Sequence, residues 1–480
     1  MTDRPAASRG AMRRFFGDTG TLYALATVLL IAPFFVFRDI PLYDLPNHRV
    51  VLQLLFGDVP DADRYYTVEW RLVPNLAAAA WVAVFHHMVS IDGALRLFLA
   101  ATVAQLFWGS IALHHALFGG RNRFALAAAL FAYNGPLLFG FINLSFGVGM
   151  MLWAVAAWIR GRDRPWALPV FAIIGCLILL AHVFAFAIYA LMLCAYELGA
   201  ARERRRRWHR ELVALLHLAV PAALYAFAMP HVIGGGIAYV SPLTKLSEAV
   251  GAIGFYNPVF DAASLLGIVV AVGVAAHRLA FAREMTLPIA ALAAAYIALP
   301  HQIGTATFVD YRVPPIIALV LCASLTWRDS RRRPRAEAFV LALFVLRWLV
   351  TVVQFHAWQT EFGAYRAAFA QLPQGATLLP LRRNPNIVEP AMHPPLAHVD
   401  ALAVSERGAL VPDLFAGLGY TLLRYREPYA AFATQTPTAA LAAHFDYVLL
   451  IRPNELSPAQ MPRYRELTSG RTFILGHIER

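Results

Sequence analysis

Arg38-Asp39-Ile40-Pro41-Leu42-Tyr43-Asp44-Leu45-Pro46-Asn47-His48-Arg49 follows directly on an apolar run that extends from about Leu22 to Phe37. That run is long enough to cross a bilayer, so the two carboxylates, the histidine and the two arginines behind it emerge at a membrane surface. Pro41 and Pro46 interrupt helix and bias the residues before them toward extended backbone, which favours a shaped loop over a continued rod. The stretch reads as the chemical centre of the chain.

The rest of the chain agrees with a membrane setting. Hydrophobic residues make up 59% of the 480 and charged residues only 15%, against about a quarter charged in soluble proteins. The formal charge of +12 lies in clusters beside apolar runs, which marks membrane topology and contact with membrane lipids; no nucleic-acid partner is expected. Cys176, Cys194 and Cys322 all sit inside apolar runs without metal or redox spacing and read as small core residues. Arg4, Arg9, Arg13 and Arg14 precede the first run as in a secretory signal. The run is long for that, however, and Arg38-Asp39 stands where a small-residue cleavage site would be needed, so an uncleaved first helix is expected.

Apolar runs fall at about 20–37, 94–117, 123–142, 144–160, 165–182, 183–199, 211–231, 262–280, 285–300, 313–327 and 336–353. Arginines cluster at Arg121/Arg123, Arg160/Arg162/Arg164, Arg202 to Arg210, Arg278/Arg283 and Arg328 to Arg335. If these and the N-terminus are cytoplasmic, every second loop is inside, about 11 spans result and the C-terminus lies outside. The run from Trp166 to Leu198 must then cross twice, bending near His182. The run from Pro74 to Val89 is short for a span and reads as a re-entrant or interfacial segment within a first outer loop, residues 38–93.

After about Gln354 the composition turns polar. Strand-like stretches at Ala376–Pro380 and Tyr447–Ile451 alternate with helix-like ones at Gln359–Leu372 and Leu410–Leu418. The expected architecture is therefore a mainly α, polytopic helical membrane domain over 1–353, with a small soluble α/β domain over 354–480 on the extracytoplasmic side.

With the sides assigned, the outer loops carry Asp39, Asp44, His48, Arg49 and Arg71, then Asn143, His182, His231 and Gly234–Gly236. His301 and the Asp310-Tyr311-Arg312 triplet complete the set. This layout resembles the GT-C glycosyltransferases: many spans, a large first outer loop with an acid just after the first helix, and a C-terminal soluble domain. Phe139-Gly140-Phe141-Ile142-Asn143 and Leu180-Ala181-His182-Val183 resemble bacterial proteins of that type. The resemblance implies a bacterial inner-membrane enzyme, with its N-terminus cytoplasmic and its C-terminal domain periplasmic. It would transfer a sugar from a polyprenyl-phosphate-linked donor to an acceptor hydroxyl. The adjacent acid pair of several such families is absent, which leaves two candidates for the general base: Asp44 first, since Pro46 and Asn47-His48 fix its surroundings, and Asp39 second. Arg312 and Arg49 would meet the phosphate, and His48, His182, Asp310 and Asn143 would complete the substrate site. No cofactor or metal is implied.

Plainer roles stand beside these. Asp44 can cap a helix beginning near Pro46, Asn143 can close a hairpin turn, and His48 can be an interfacial side chain. The adjacent pairs His86-His87 and His114-His115 diverge on a helix and make poor metal sites. A transporter or lipid-handling protein without glycosyl transfer is the alternative. It would require ionisable groups at mid-membrane depth, and the spans hold few besides Glu197 and Arg347.

Overall fold

The computed structural model describes residues 19–120, 123–204, 213–230, 235–254, 256–329, 334–382, 395–417, 421–434 and 437–480. Arg121, Arg205–Arg207, Arg210, His231, Gly234 and Arg331–Arg333 lie outside them. Each of the 11 apolar runs carries helix within the described residues. Among the described residues, five helices are long and apolar enough to cross a membrane: Thr19–Val36, Ile91–Phe118, Ile142–Gly161, Pro258–Arg278 and Pro334–Phe369. The stretch expected to bend near His182 is two helices, Ala167–Ala181 and Val183–Arg204, with His182 extended between them. The short run after Pro74 forms a nine-residue helix, Ala77–Phe85, about 14 Å long at 1.5 Å per residue and too short to cross.

Helices Ile91–Phe118 and Ile142–Gly161 pack at the centre of the membrane half. A Cβ on Gly109 would stand 2.9 Å from the Leu152 Cβ and 3.1 Å from the Gly149 carbonyl, so the contact depends on small residues. Two buried ion pairs lie within this half. Glu197 accepts from Trp158 Nε1 at 2.6 Å and meets Arg162, and Arg347 lies 3.0 Å from Asp261.

The helix Pro334–Phe369 runs unbroken through Gln354 into the C-terminal part. There a four-stranded sheet has the order Leu378–Leu381, Tyr447–Ile451, Phe473–Ile478, Tyr464–Ser469, the first pair parallel and the others antiparallel. Its core is shared with the first loop. Val50, Leu54, Val59, Tyr65 and Tyr66 are buried together with Phe362, Tyr365, Phe369 and the sheet, and strand Tyr66–Val68 pairs antiparallel with Leu423–Tyr425.

The expected helix at Leu410–Leu418 is not formed over its described residues. Its amides are taken by side chains instead: Val411 N–H donates to Tyr66 Oη at 3.0 Å, Leu414 N–H to Tyr425 Oη at 3.2 Å and Phe415 N–H to Asn47 Oδ1 at 2.9 Å. Local apolar spacing suggested helix, and long-range partners for the backbone outweighed it.

Two contacts fix the first loop against the helices. Asp39 forms a buried ion pair with Arg366, at 2.5 Å, while its backbone exchanges hydrogen bonds with the Gln359 amide. Further along, Tyr43 and Asp44 donate their N–H groups to the carbonyls of Leu138 and Phe139. Gly140 permits that approach: it has φ +103°, and a Cβ there would stand 2.7 Å from the Asp44 backbone nitrogen.

Arg366→Leu is expected to leave the Asp39 carboxylate buried without its cation, costing about 3 kcal/mol. The melting temperature in detergent should fall and partly recover in Asp39→Asn/Arg366→Leu; an unchanged melt would contradict the pairing. Gly140→Ala adds about 1–2 kcal/mol of left-handed strain to the clash with Asp44. It should lower the melt further than Ala at the open, helical Gly363, and equal effects would contradict the docking.

Candidate active site

Asp44 stands just before the helix Leu45–Leu55, where a carboxylate usually accepts a hydrogen bond from the first turn. It makes no such bond. Pro46 in the first turn has no N–H to offer, and the Asp44 backbone (φ −90°, ψ −4°) is not in the extended conformation typical of a cap. The side chain instead lines a cavity of about 870 Å³.

Several other parts of the chain close that cavity. The turn into Ile142–Gly161 and the first turn of that helix bring Phe139, Phe141 and Asn143; the break between two helices brings His182; the segment before Val313–Ser324 brings His301, Thr307 and Arg312; and the C-terminal part brings Arg382, His398, Asp413 and Phe415. Leu52, Leu55, Val73, Leu76 and Ala79 give one wall an apolar surface. On helix Ile142–Gly161 the cavity lies at the Asn143 end and Arg160 at the other, about 25 Å away at 1.5 Å per residue. The mixed polar chemistry is thus separated from that arginine cluster by the length of a membrane helix.

The Arg312 guanidinium lies over the rings of Phe141 (4.8 Å) and Phe184 (5.8 Å), and its Nη2 donates to Thr307 O at 3.0 Å. Aromatic faces hold a guanidinium in place through cation–π contact. His182 Nδ1 accepts the Phe184 N–H at 3.0 Å, which fixes its ring at the helix break. Asn143 Oδ1 accepts the Ala78 N–H at 2.8 Å, tying the short helix Ala77–Phe85 to the cavity rim. His48 packs edge-on to Phe415. Burial pushes its imidazole below the ordinary value, against the pull of the Asp44 carboxylate.

Of the residues singled out in the sequence, Asp44, His48, Asn143, His182 and Arg312 meet at the cavity. The other three do not line it. Asp39 is held by Arg366, and Arg49 pairs with Asp92, its Nε 2.7 Å from Oδ1. Asp310 is fully buried behind the wall, 3.0 Å from His301 Nδ1 and 3.2 Å from Lys245 Nζ.

Glu248, His301 and Asp310 bring ligand-type atoms within 4.8 Å of one another. Lys245 and His301 already face the two acids. Burial and the Asp310 charge push Glu248 up to about 7. Burial also acts upward on Asp310, but the hydrogen bonds from His301 and Lys245 outweigh it and hold the carboxyl below its usual range. The cluster is a buried charge network balanced by the chain's own cations.

The sequence pattern did not point to Arg382, His398 or Asp413. Arg382 contacts Asp413 and lies 3.2 Å from Asp400. His398 Nε2 lies 3.5 Å from Asp44 Oδ1 and its Nδ1 lies 3.6 Å from Asp413 Oδ2. These residues are scattered in a soluble-looking segment and carry no spacing signal. Only the fold brings them to the first loop.

No protein-family model matches the chain, and no curated protein matches it in sequence. Solved structures do resemble it. ArnT from Cupriavidus metallidurans, bound to undecaprenyl phosphate, aligns over 95% of this chain and 97% of its own at 11% identity with a TM-score of 0.55. The same protein in the apo state aligns over 98% of both chains at 12% identity with a TM-score of 0.56. The arabinofuranosyltransferase AftD from Mycobacteria aligns over 96% of this chain and 40% of its own, at 14% identity and a TM-score of 0.45. The chain shares the fold of ArnT over nearly the whole length of both.

Proposed function

We propose that this chain is a membrane glycosyltransferase that moves a sugar from a polyprenyl-phosphate carrier to an acceptor hydroxyl at the outer face of a bacterial inner membrane. The observation that carries the reading is the cavity, which unites an uncapped carboxylate, an aromatic-bedded arginine and an apolar wall at the end of the membrane helices. An amphiphile with an anionic head has the matching chemistry. The fold is that of ArnT, which has been solved with undecaprenyl phosphate bound.

In the proposed reaction the acceptor oxygen attacks the anomeric carbon while the bond from that carbon to the carrier phosphate breaks. The bonding electrons leave with the phosphate, and polyprenyl phosphate is released. Asp44 takes the hydroxyl proton as the new bond forms. Phosphate is an acidic leaving group, so a fixed cation stabilising its charge suffices. Arg312 supplies that cation with a planar fork of donors suited to phosphate oxygens, and His182 and His48 flank the head group. Asp39 serves the fold through Arg366. The cavity's separation from Arg160, together with the positive-inside rule, supports an outward-facing site. The C-terminal domain then covers the site from the periplasm.

The test is release of polyprenyl phosphate from a panel of synthetic polyprenyl-phosphate sugars in proteoliposomes. Asp44→Asn keeps the shape and removes the base, so kcat should fall by about 10²–10⁴ while Asp39→Asn keeps most of its rate. Wild-type turnover by Asp44→Asn would defeat the base assignment, and a protein releasing nothing from any donor would defeat the proposed activity. Arg312→Ala should lose about 10²–10³ in kcat, with Arg312→Lys recovering only part because a point charge lacks the fork. An Arg312→Ala variant at full rate would remove that residue from the mechanism.

A further inference from the structure

We infer that His398 of the C-terminal domain is a positioning residue for Asp44, held by Asn47 in the tautomer that aims a ring N–H at the carboxylate. The inference rests on Asp44 being the base, and it concerns how that base is oriented.

Asn47 decides the geometry. Its side chain is fully buried, and its Oδ1 accepts the Phe415 backbone N–H at 2.9 Å. Only the amide oxygen can accept, so the amide nitrogen must lie on the other side. There Nδ2 donates to the Asp413 backbone carbonyl at 2.9 Å and reaches His398 Nδ1 at 3.3 Å. Both amide hydrogens are used. His398 Nδ1 is therefore an acceptor, and the neutral ring carries its proton on Nε2. That nitrogen is the one 3.5 Å from Asp44 Oδ1. The separation is long for a closed hydrogen bond, as is common before substrate orders a catalytic site.

The surroundings fit this arrangement. Asp413 Oδ2 lies 3.6 Å from Nδ1, and Arg382 contacts both Asp413 and Asp400. Asp44, Tyr43 and His48 face the ring from the first loop. A histidine that only packed against Phe415 and Tyr43 would not need its tautomer fixed by a buried amide. With Nε2–H on Oδ1, the other carboxylate oxygen is left for the acceptor hydroxyl. Since Asn47 is in the first loop and His398 in the C-terminal domain, the base is aimed only where the two meet.

In nitrogen-15-histidine protein in nanodiscs, the His398 ring, assigned by its loss in His398→Gln, is expected with its proton on Nε2. In the polyprenyl phosphate release assay, His398→Ala should lose about 10- to 100-fold in kcat, the scale on which orienting partners act, with KM little changed. His398→Gln, whose amide nitrogen reaches the Nε2 position, should recover most of this and His398→Asn should not. A proton on Nδ1 in the neutral ring, or equal damage from Gln, Asn and Ala, would overturn the inference while leaving the base assignment intact. Full turnover by Asp44→Asn would instead defeat that assignment.

Discussion

A carboxylate at the start of a helix is normally consumed by the helix itself, and in this chain it is not. Pro46 removes one amide that Asp44 could have reached, and the docking of Tyr43 and Asp44 on the turn at Gly140 holds the backbone in a conformation that does not cap. The side chain is left to the cavity. The rest of the site depends on this, because Arg312, His182 and Asn143 come from separate helix ends and converge on the space that Asp44 faces. The first loop is in turn fixed at both ends: through Asp39 on the long C-terminal rod, and through a hydrophobic core and a strand pair shared with the C-terminal sheet.

Much of the scaffold was legible in the sequence because membrane helices announce themselves locally. Each apolar run carries helix within the described residues, and the double arginine flanks forced a break near His182. The polar groups at helix ends were legible too, since a polar residue at an apolar boundary is costly unless it is used. The two aspartates were harder to separate. Asp39 and Asp44 share one loop and similar neighbours, and what separates them is Arg366, a residue 327 positions away. Arg49 was drawn off in the same way, by Asp92. Leu410–Leu418 and the trio Arg382, His398 and Asp413 failed for the same reason: their partners are distant in sequence, so no periodicity or spacing encodes them.

The charges inside the membrane half have a different character from those at the cavity. Glu197 is matched by Arg162 and Trp158, and Arg347 by Asp261. Such pairs hold helices together and, being compensated where they stand, do not supply the free ionisable groups of an ion-coupled pathway. The network of Lys245, Glu248, His301 and Asp310 lies just behind the cavity wall and balances its own charge. Arg312 lies at the cavity itself, over two aromatic faces and with a hydrogen bond to a backbone carbonyl.

In the proposed enzyme the anionic head of a lipid carrier sits in this cavity, between Arg312 and Asp44. A cryo-EM structure of the protein in nanodiscs loaded with polyprenyl phosphate decides this: phosphate density is expected against the Arg312 guanidinium, with the lipid tail leaving along the wall formed by Leu52, Val73 and Leu76. Density at the opposite helix ends near Arg160 and Arg278, with none in the cavity, would contradict it.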